Sequence, residues 1–183
     1  MNHSFRALLQ CMTLTCVALL AGCQSTPTNP PLRTVPRVDL QRFMGDWYVI
    51  AHIPTSVEKG AYNAIESYRL NDDGTIATTF TFNQDAMDGP VKKYTPKGFV
   101  VNTATNAEWE MQFAWPLKAD YKIVYLDDDY QQTIVARDQR DYVWILARSP
   151  NISSTDFEAL LTRVRNMGYE INLLRRVPHR AAS

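Results

Sequence analysis

Phe43-Met44-Gly45-Asp46-Trp47-Tyr48-Val49-Ile50-Ala51-His52-Ile53 is the stretch on which the chain is organised. Gly45 opens it with a residue that accepts backbone angles and close approaches other residues resist. Strand character then runs to Ile53 almost without charge, with Trp47, Val49, Ala51 and Ile53 expected on one face by period-two alternation. A tryptophan buries roughly 150–250 Å², worth on the order of 4–6 kcal/mol at about 25 cal/mol per Å² as an upper bound. Trp47, at the first turn of a first strand, can therefore plug one end of a closed sheet.

Further strands follow outward from this one. Ala61 to Leu70 reads as a second, and Asn71-Asp72-Asp73-Gly74 as a turn into a third from Thr75 to Asn83. Val91 to Asn102 is a fourth, with Pro96 marking a bulge or an edge because proline donates nothing to a ladder. Ala107 to Ala114 alternates most plainly, placing Trp109, Met111 and Phe113 opposite Glu108, Glu110 and Gln112. Tyr121 to Leu126, Tyr130 to Arg137 and Tyr142 to Arg148 complete eight short strands, spaced like an up-and-down antiparallel barrel. A β-sandwich is the alternative. Thr155 and Glu158 have the spacing of a capping box before the apolar stripe Phe157, Leu160, Leu161 and Val164. Gly168 stands where a left-handed helix terminator belongs.

Gly45-x-Trp47, preceded by Val38 to Phe43, resembles the opening motif of the lipocalins. Asp120-Tyr121-Lys122-Ile123-Val124-Tyr125-Leu126-Asp127 resembles their second motif, with Ala119 in place of the usual threonine. Tyr142-Val143-Trp144-Ile145-Leu146-Ala147-Arg148 resembles the third, whose arginine lies against the motif-one tryptophan. The agreement extends over residues 38–178 and is nearest to bacterial outer-membrane lipocalins, lipoproteins of the calycin superfamily. The resemblance implies an eight-stranded barrel with the helix packed outside and a short ninth strand, Tyr169 to Val177, beside the first. It also implies structural roles for Gly45, Trp47 and Arg148 at the closed end.

Residues 1–22 read as a secretory signal, with Arg6 before a mostly apolar Ala7 to Leu20. Leu20-Ala21-Gly22-Cys23 resembles a lipobox, so Cys23 is the expected anchor, carrying acyl chains such as palmitate; two or more chains give stable attachment. Gln24 at the next position implies delivery to the outer membrane, by default facing the periplasm. Residues 23–37, with prolines at 27, 30, 31 and 36, are expected to be a flexible tether. Residues 38–178 are the barrel domain and 179–183 a tail. Removing residues 1–22 from 183 leaves 161, enough for one domain with a sizeable core or a lined cavity. With Arg6 gone, 18 Lys and Arg face 19 Asp and Glu, a balance of −1 that does not draw the protein to nucleic acid.

The chemistry points to binding rather than catalysis. Cys23 is the one cysteine left, so no internal disulfide forms, and thiol catalysis is excluded if it carries lipid. His52 and His179 have no metal-ligand spacing, and His52 reads as a structural histidine. No cofactor is implied. Phe80, Phe82, Trp109, Met111, Phe113, Tyr121, Ile123, Tyr125, Tyr142 and Trp144 are candidates to line a cavity, each weighed against simply filling a core. Glu66 shares a face with Ala64 and Tyr68; inward it places a carboxyl in the cavity with a raised pKa, outward it sits in water. The expectation is a membrane-anchored carrier, not an enzyme, of a fatty acid or lysophospholipid in lipid storage or transport for envelope maintenance. The alternatives are a lipocalin-fold enzyme on a lipophilic substrate and a structural envelope lipoprotein with a filled barrel. Pairing of two copies stays open.

Overall fold

The computed structural model describes residues 29–180. The signal over 1–22, the anchor at Cys23 and the start of the tether lie outside the described residues. Asp39 caps the one-turn helix α1 (Leu40–Phe43), its Oδ1 accepting from the backbone N–H groups of Gln41 and Arg42 at 2.9 and 3.2 Å. The strands are β1 (Gly45–Ile53), β2 (Ala61–Leu70), β3 (Ile76–Gln84), β4 (Val91–Tyr94), β5 (Lys97–Val100), β6 (Glu108–Ala114), β7 (Leu117–Leu126), β8 (Gln132–Ala136), β9 (Val143–Ala147) and β10 (Arg175–Arg176). Every neighbour pair is antiparallel, and β1 pairs with both β2 and β9, so the sheet closes. β4 and β5 are halves of the expected fourth strand, parted at Thr95-Pro96, and both pair with β3. Counted as one, they make an eight-stranded barrel.

Closure leaves two apolar layers. Inside lie Phe43, Trp47, Val49, Phe82, Trp109, Ile123 and Leu146. Outside, Ile50, Ala51, Ile134, Ile145 and their neighbours meet Phe157, Leu160 and Val164 of α2 (Ser154–Asn166). The helix is capped two residues earlier than expected: the Ser153 hydroxyl accepts from the N–H of Asp156 at 3.0 Å, and Thr155 is already inside the helix. Gly168 ends it at φ +88°. The final strand is shorter than expected. A 3-10 turn (Ile171–Leu173) precedes it, and only Arg175 and Arg176 pair with His52 and Ala51.

Two β-bulges reset which side chains face inward. In β1 the register against β9 slips between Val49 and Ala51, so the expected shared face breaks. Trp47 and Val49 point into the barrel, whereas Ala51 and Ile53 turn to the helix layer and His52 turns inward opposite Trp144. In β7 the register slips between Ile123 and Tyr125.

The expected tether is docked over its described part. Leu32 is buried with its N–H on Asp138 Oδ1 at 2.8 Å, Val35 N–H donates to Ile123 O at 3.0 Å, and Val38 N–H to Thr105 O at 2.7 Å. Prolines keep the strap extended while Leu32, Val35 and Val38 settle on the barrel. Residues 32–38 thus run against the barrel through these contacts.

Candidate functional site

The barrel's two ends differ because the sequence makes them differ. At the closed end Gly45 has φ +92°, a conformation strained for any other residue, and a Cβ there would lie 3.5 Å from Arg148 Nη1. Arg148 sits 3.8 Å over the Trp47 ring. Its Nη1 donates to Asp46 O at 2.7 Å, and its Nη2 to the carbonyls of Arg42, Phe43 and Met44 at 2.9–3.0 Å. Trp47 Nε1 donates to Phe43 O at 2.8 Å. Rings fill the space above: Phe43 lies 5.0 Å from Trp47 and 5.5 Å from Trp109, and Trp109 stacks on Tyr121 at 5.6 Å. This half of the barrel is solid.

A cavity of about 90 Å³ occupies the other half, opening where the β1–β2, β6–β7 and β8–β9 connections meet. Glu66, Phe80, Met111, Tyr121, Tyr142 and Trp144 line it, and Phe113 stands at its rim, largely exposed. Trp109 and Ile123 are buried in the packed half and do not reach it, and neither does Phe82. Tyr125 is a correction. The bulge turns it out of the barrel, opposite Ile134, where Arg163 of α2 lies 4.2 Å over its ring.

The cavity floor is a polar knot. Glu66 faces inward, and its Oε2 accepts from the hydroxyls of Tyr68 and Tyr121, the latter at 3.2 Å; the two hydroxyls also touch each other. Burial, reinforced by the charge of Glu58, pushes the Glu66 carboxyl up to about 8. Burial and Glu66 together hold the Tyr121 phenol well above its usual range. The floor is therefore neutral at pH 7 despite its carboxyl.

Glu58 belongs to the β1–β2 connection yet is buried. Its Oε1 accepts from Trp144 Nε1 at 2.8 Å and its Oε2 from the N–H of Thr55 at 2.7 Å. His52 Nδ1 stands 3.8 Å from Oε1, beyond hydrogen-bond length, and has no hydrogen-bond partner among the described residues. Burial works against ionisation of Glu58, but His52, Thr55 and Trp144 outweigh it and keep its pKa below the ordinary value. The Thr78 hydroxyl and Arg137 Nε, from two further lining residues, are also buried without partners.

Glu58, Thr78, Tyr94 and Arg137 are lining residues absent from the sequence reading. Two carried a signal: Thr78 shares a strand face with Phe80, and Tyr94 pairs with Phe80 across the ladder. Glu58 sits in a loop, and Arg137 lies just past the end of β8, where periodicity says little. Alternation puts His52 on the face opposite Trp47, but the β1 bulge turns it inward instead, and nothing in the residues announces a bulge. Among the described residues, no three His, Cys, Asp or Glu side chains gather as a metal set.

Comparison with known proteins agrees with this architecture. The family model described as "Lipocalin-like domain" matches residues 38–179. A putative lipocalin of Acanthamoeba polyphaga mimivirus is 34% identical over 144 residues, covering 75% of this chain and 82% of its own. The outer membrane lipoprotein Blc of Citrobacter freundii is 31% identical over 163 residues, covering 88% and 90%. Among solved structures, insecticyanin from the tobacco hornworm Manduca sexta superposes with a TM-score of 0.63 at 16% identity, over 81% of this chain and 85% of that one. At that identity the likeness speaks for the fold alone.

Proposed function

The chain belongs to the lipocalin family, and on that premise we propose that it carries a fatty acid or lysophospholipid, tail inward, in the cavity above Glu66. The observation that carries this reading is an open cavity walled by Phe80, Met111, Tyr142 and Trp144 over a floor that burial keeps neutral. An uncharged floor tolerates a hydrocarbon end, and each methylene taken from water contributes about 0.8 kcal/mol. Arg137, a lining residue with an unpartnered Nε, supplies a donor for an anionic head.

Size constrains the reading. At about 90 Å³ the cavity is smaller than the roughly 300–1,000 Å³ typical of small-molecule pockets. A long chain therefore enters only if the 54–60 connection and the Trp144 and Tyr142 rings move aside. The same figure favours a second reading, a structural lipoprotein whose barrel stays filled.

Anchoring through acyl chains on Cys23, residence on the outer membrane facing the periplasm, and a part in lipid storage or transport for envelope maintenance complete the proposal. Likeness to outer membrane lipoproteins Blc of several bacteria supports the location. Incubating the protein with fatty acids and lysophospholipids, then analysing protein-bound and free lipid by mass spectrometry, tests it. Unaltered retention is expected. Altered products indicate an enzyme, and no retention the filled barrel.

A further inference from the structure

We infer that the open end of the barrel is a membrane-docking surface, in which the tip of the β6–β7 hairpin inserts into the interfacial layer of a lipid bilayer. The inference rests on the carrier reading only in taking the cavity as the destination of the lipid.

The tip is Phe113-Ala114-Trp115-Pro116-Leu117, and its large side chains face solvent: Phe113 is 64% exposed, Trp115 86% and Leu117 73%. The chain's other tryptophans, Trp47, Trp109 and Trp144, are all buried. Tryptophan combines a large apolar body with an N–H that prefers a wet partner, the amphipathic character that places it at membrane–water boundaries. Across the opening, Val57 of the β1–β2 connection is also exposed. Phe113 and Val57 line the cavity as well, so apolar side chains stand both on the cavity wall and at its outer rim.

Charge and chain path point to a bilayer as the occupant. Lys92 and Lys93 start β4 at the same end, exposed and without an ion-pair partner among the described residues, as attraction to phosphate head groups requires. Arg140 Nη2 donates to Pro30 O at 2.9 Å and Leu32 N–H to Asp138 at 2.8 Å, which fixes the emerging N-terminal segment beside the β8–β9 connection, again at the open end. Only five residues lie between Cys23 and Asn29, a span of at most about 22 Å over six steps of about 3.3–3.6 Å. An acyl chain on Cys23 would thus hold the opening, rather than the closed end, near the head groups.

The chain carrying Cys23→Ser, which removes the acyl anchor, is mixed with vesicles of phosphatidylethanolamine and phosphatidylglycerol while tryptophan emission and co-sedimentation are followed. A blue shift on vesicle addition is expected, abolished by Trp115→Ala together with a tenfold or greater loss of vesicle affinity. Trp115→Ala should also slow lipid uptake from vesicles without changing the amount retained at equilibrium, since Trp115 does not line the cavity. Emission unmoved at saturating vesicles, or a Trp115→Ala chain that co-sediments like its parent, overturns the inference. A blue shift that follows protein concentration without vesicles overturns it in favour of two copies pairing through the tip. If the parent retains no lipid, the carrier reading fails, while the emission change still decides docking.

Discussion

Trp144 Nε1 donates to Glu58 Oε1 at 2.8 Å, joining the wall of the cavity to the loop above it. Glu58 is the single side chain that engages β9, the backbone of Thr55 and His52 together. Its removal leaves buried donors without an acceptor, which costs about 1–3 kcal/mol. Glu58→Ala is therefore expected to lower unfolding stability by that amount and to accelerate ligand entry, because the 54–60 connection loses its tie. Urea unfolding and stopped-flow binding check the two halves. Unchanged entry rates would show that this loop does not gate the cavity.

The buried floor gives stability a pH signature. Glu66 is held near 8 in the folded protein against an ordinary 4.5. Below pH 4.5 it is protonated whether the chain is folded or not, and its contribution is fully present. As pH rises toward 8 the unfolded chain releases this proton and the folded chain keeps it, so stability falls, by at most about 1.4 kcal/mol per pH unit. Above 8 the contribution is gone. Glu66→Gln should flatten the decline between about pH 5 and about pH 8, measured as urea midpoints across that window. Identical slopes in both proteins would place the titration elsewhere.

The closed end should behave as structure alone. Trp47→Ala is expected to cost roughly 3–5 kcal/mol, because it empties the site beneath Arg148 and removes one of the two donors to the Phe43 carbonyl. A cost near zero would remove Trp47 from that role. Arg148→Lys keeps a charge but lacks the planar fork that reaches the Arg42, Phe43 and Met44 carbonyls, so it should fall in the same direction by a smaller amount.

Tyr121 and Tyr125 separate what was legible in the sequence from what was not. Their spacing puts both on one face of an ideal strand, yet the bulge at the Ile123/Tyr125 step sends Tyr121 to Glu66 and Tyr125 to Arg163. Tyr125→Ala should accordingly leave ligand affinity unchanged, and Tyr121→Ala should weaken it severalfold by removing a ring that lines the cavity; binding titrations of both variants check this.

Alternation left Glu66 open between inward and outward, whereas the barrel followed from strand spacing and the Gly45–Trp47–Arg148 closure from the family resemblance. Face assignments beyond Val49 in β1 and beyond Ile123 in β7 followed from neither, because a bulge is set by how neighbouring ladders close rather than by the residues that form it. Glu58 escaped for a different reason: its burial depends on partners in β1 and β9 that only tertiary structure assembles.

Native mass spectrometry of the freshly purified Cys23→Ser chain, before and after lipid extraction, bears most directly on the carrier account. One fatty acid or lysophospholipid per chain, lost on extraction and regained on incubation, is the predicted result. A chain at its bare mass throughout, refusing every lipid offered, would mean that the cavity above Glu66 never widens, and would contradict the account.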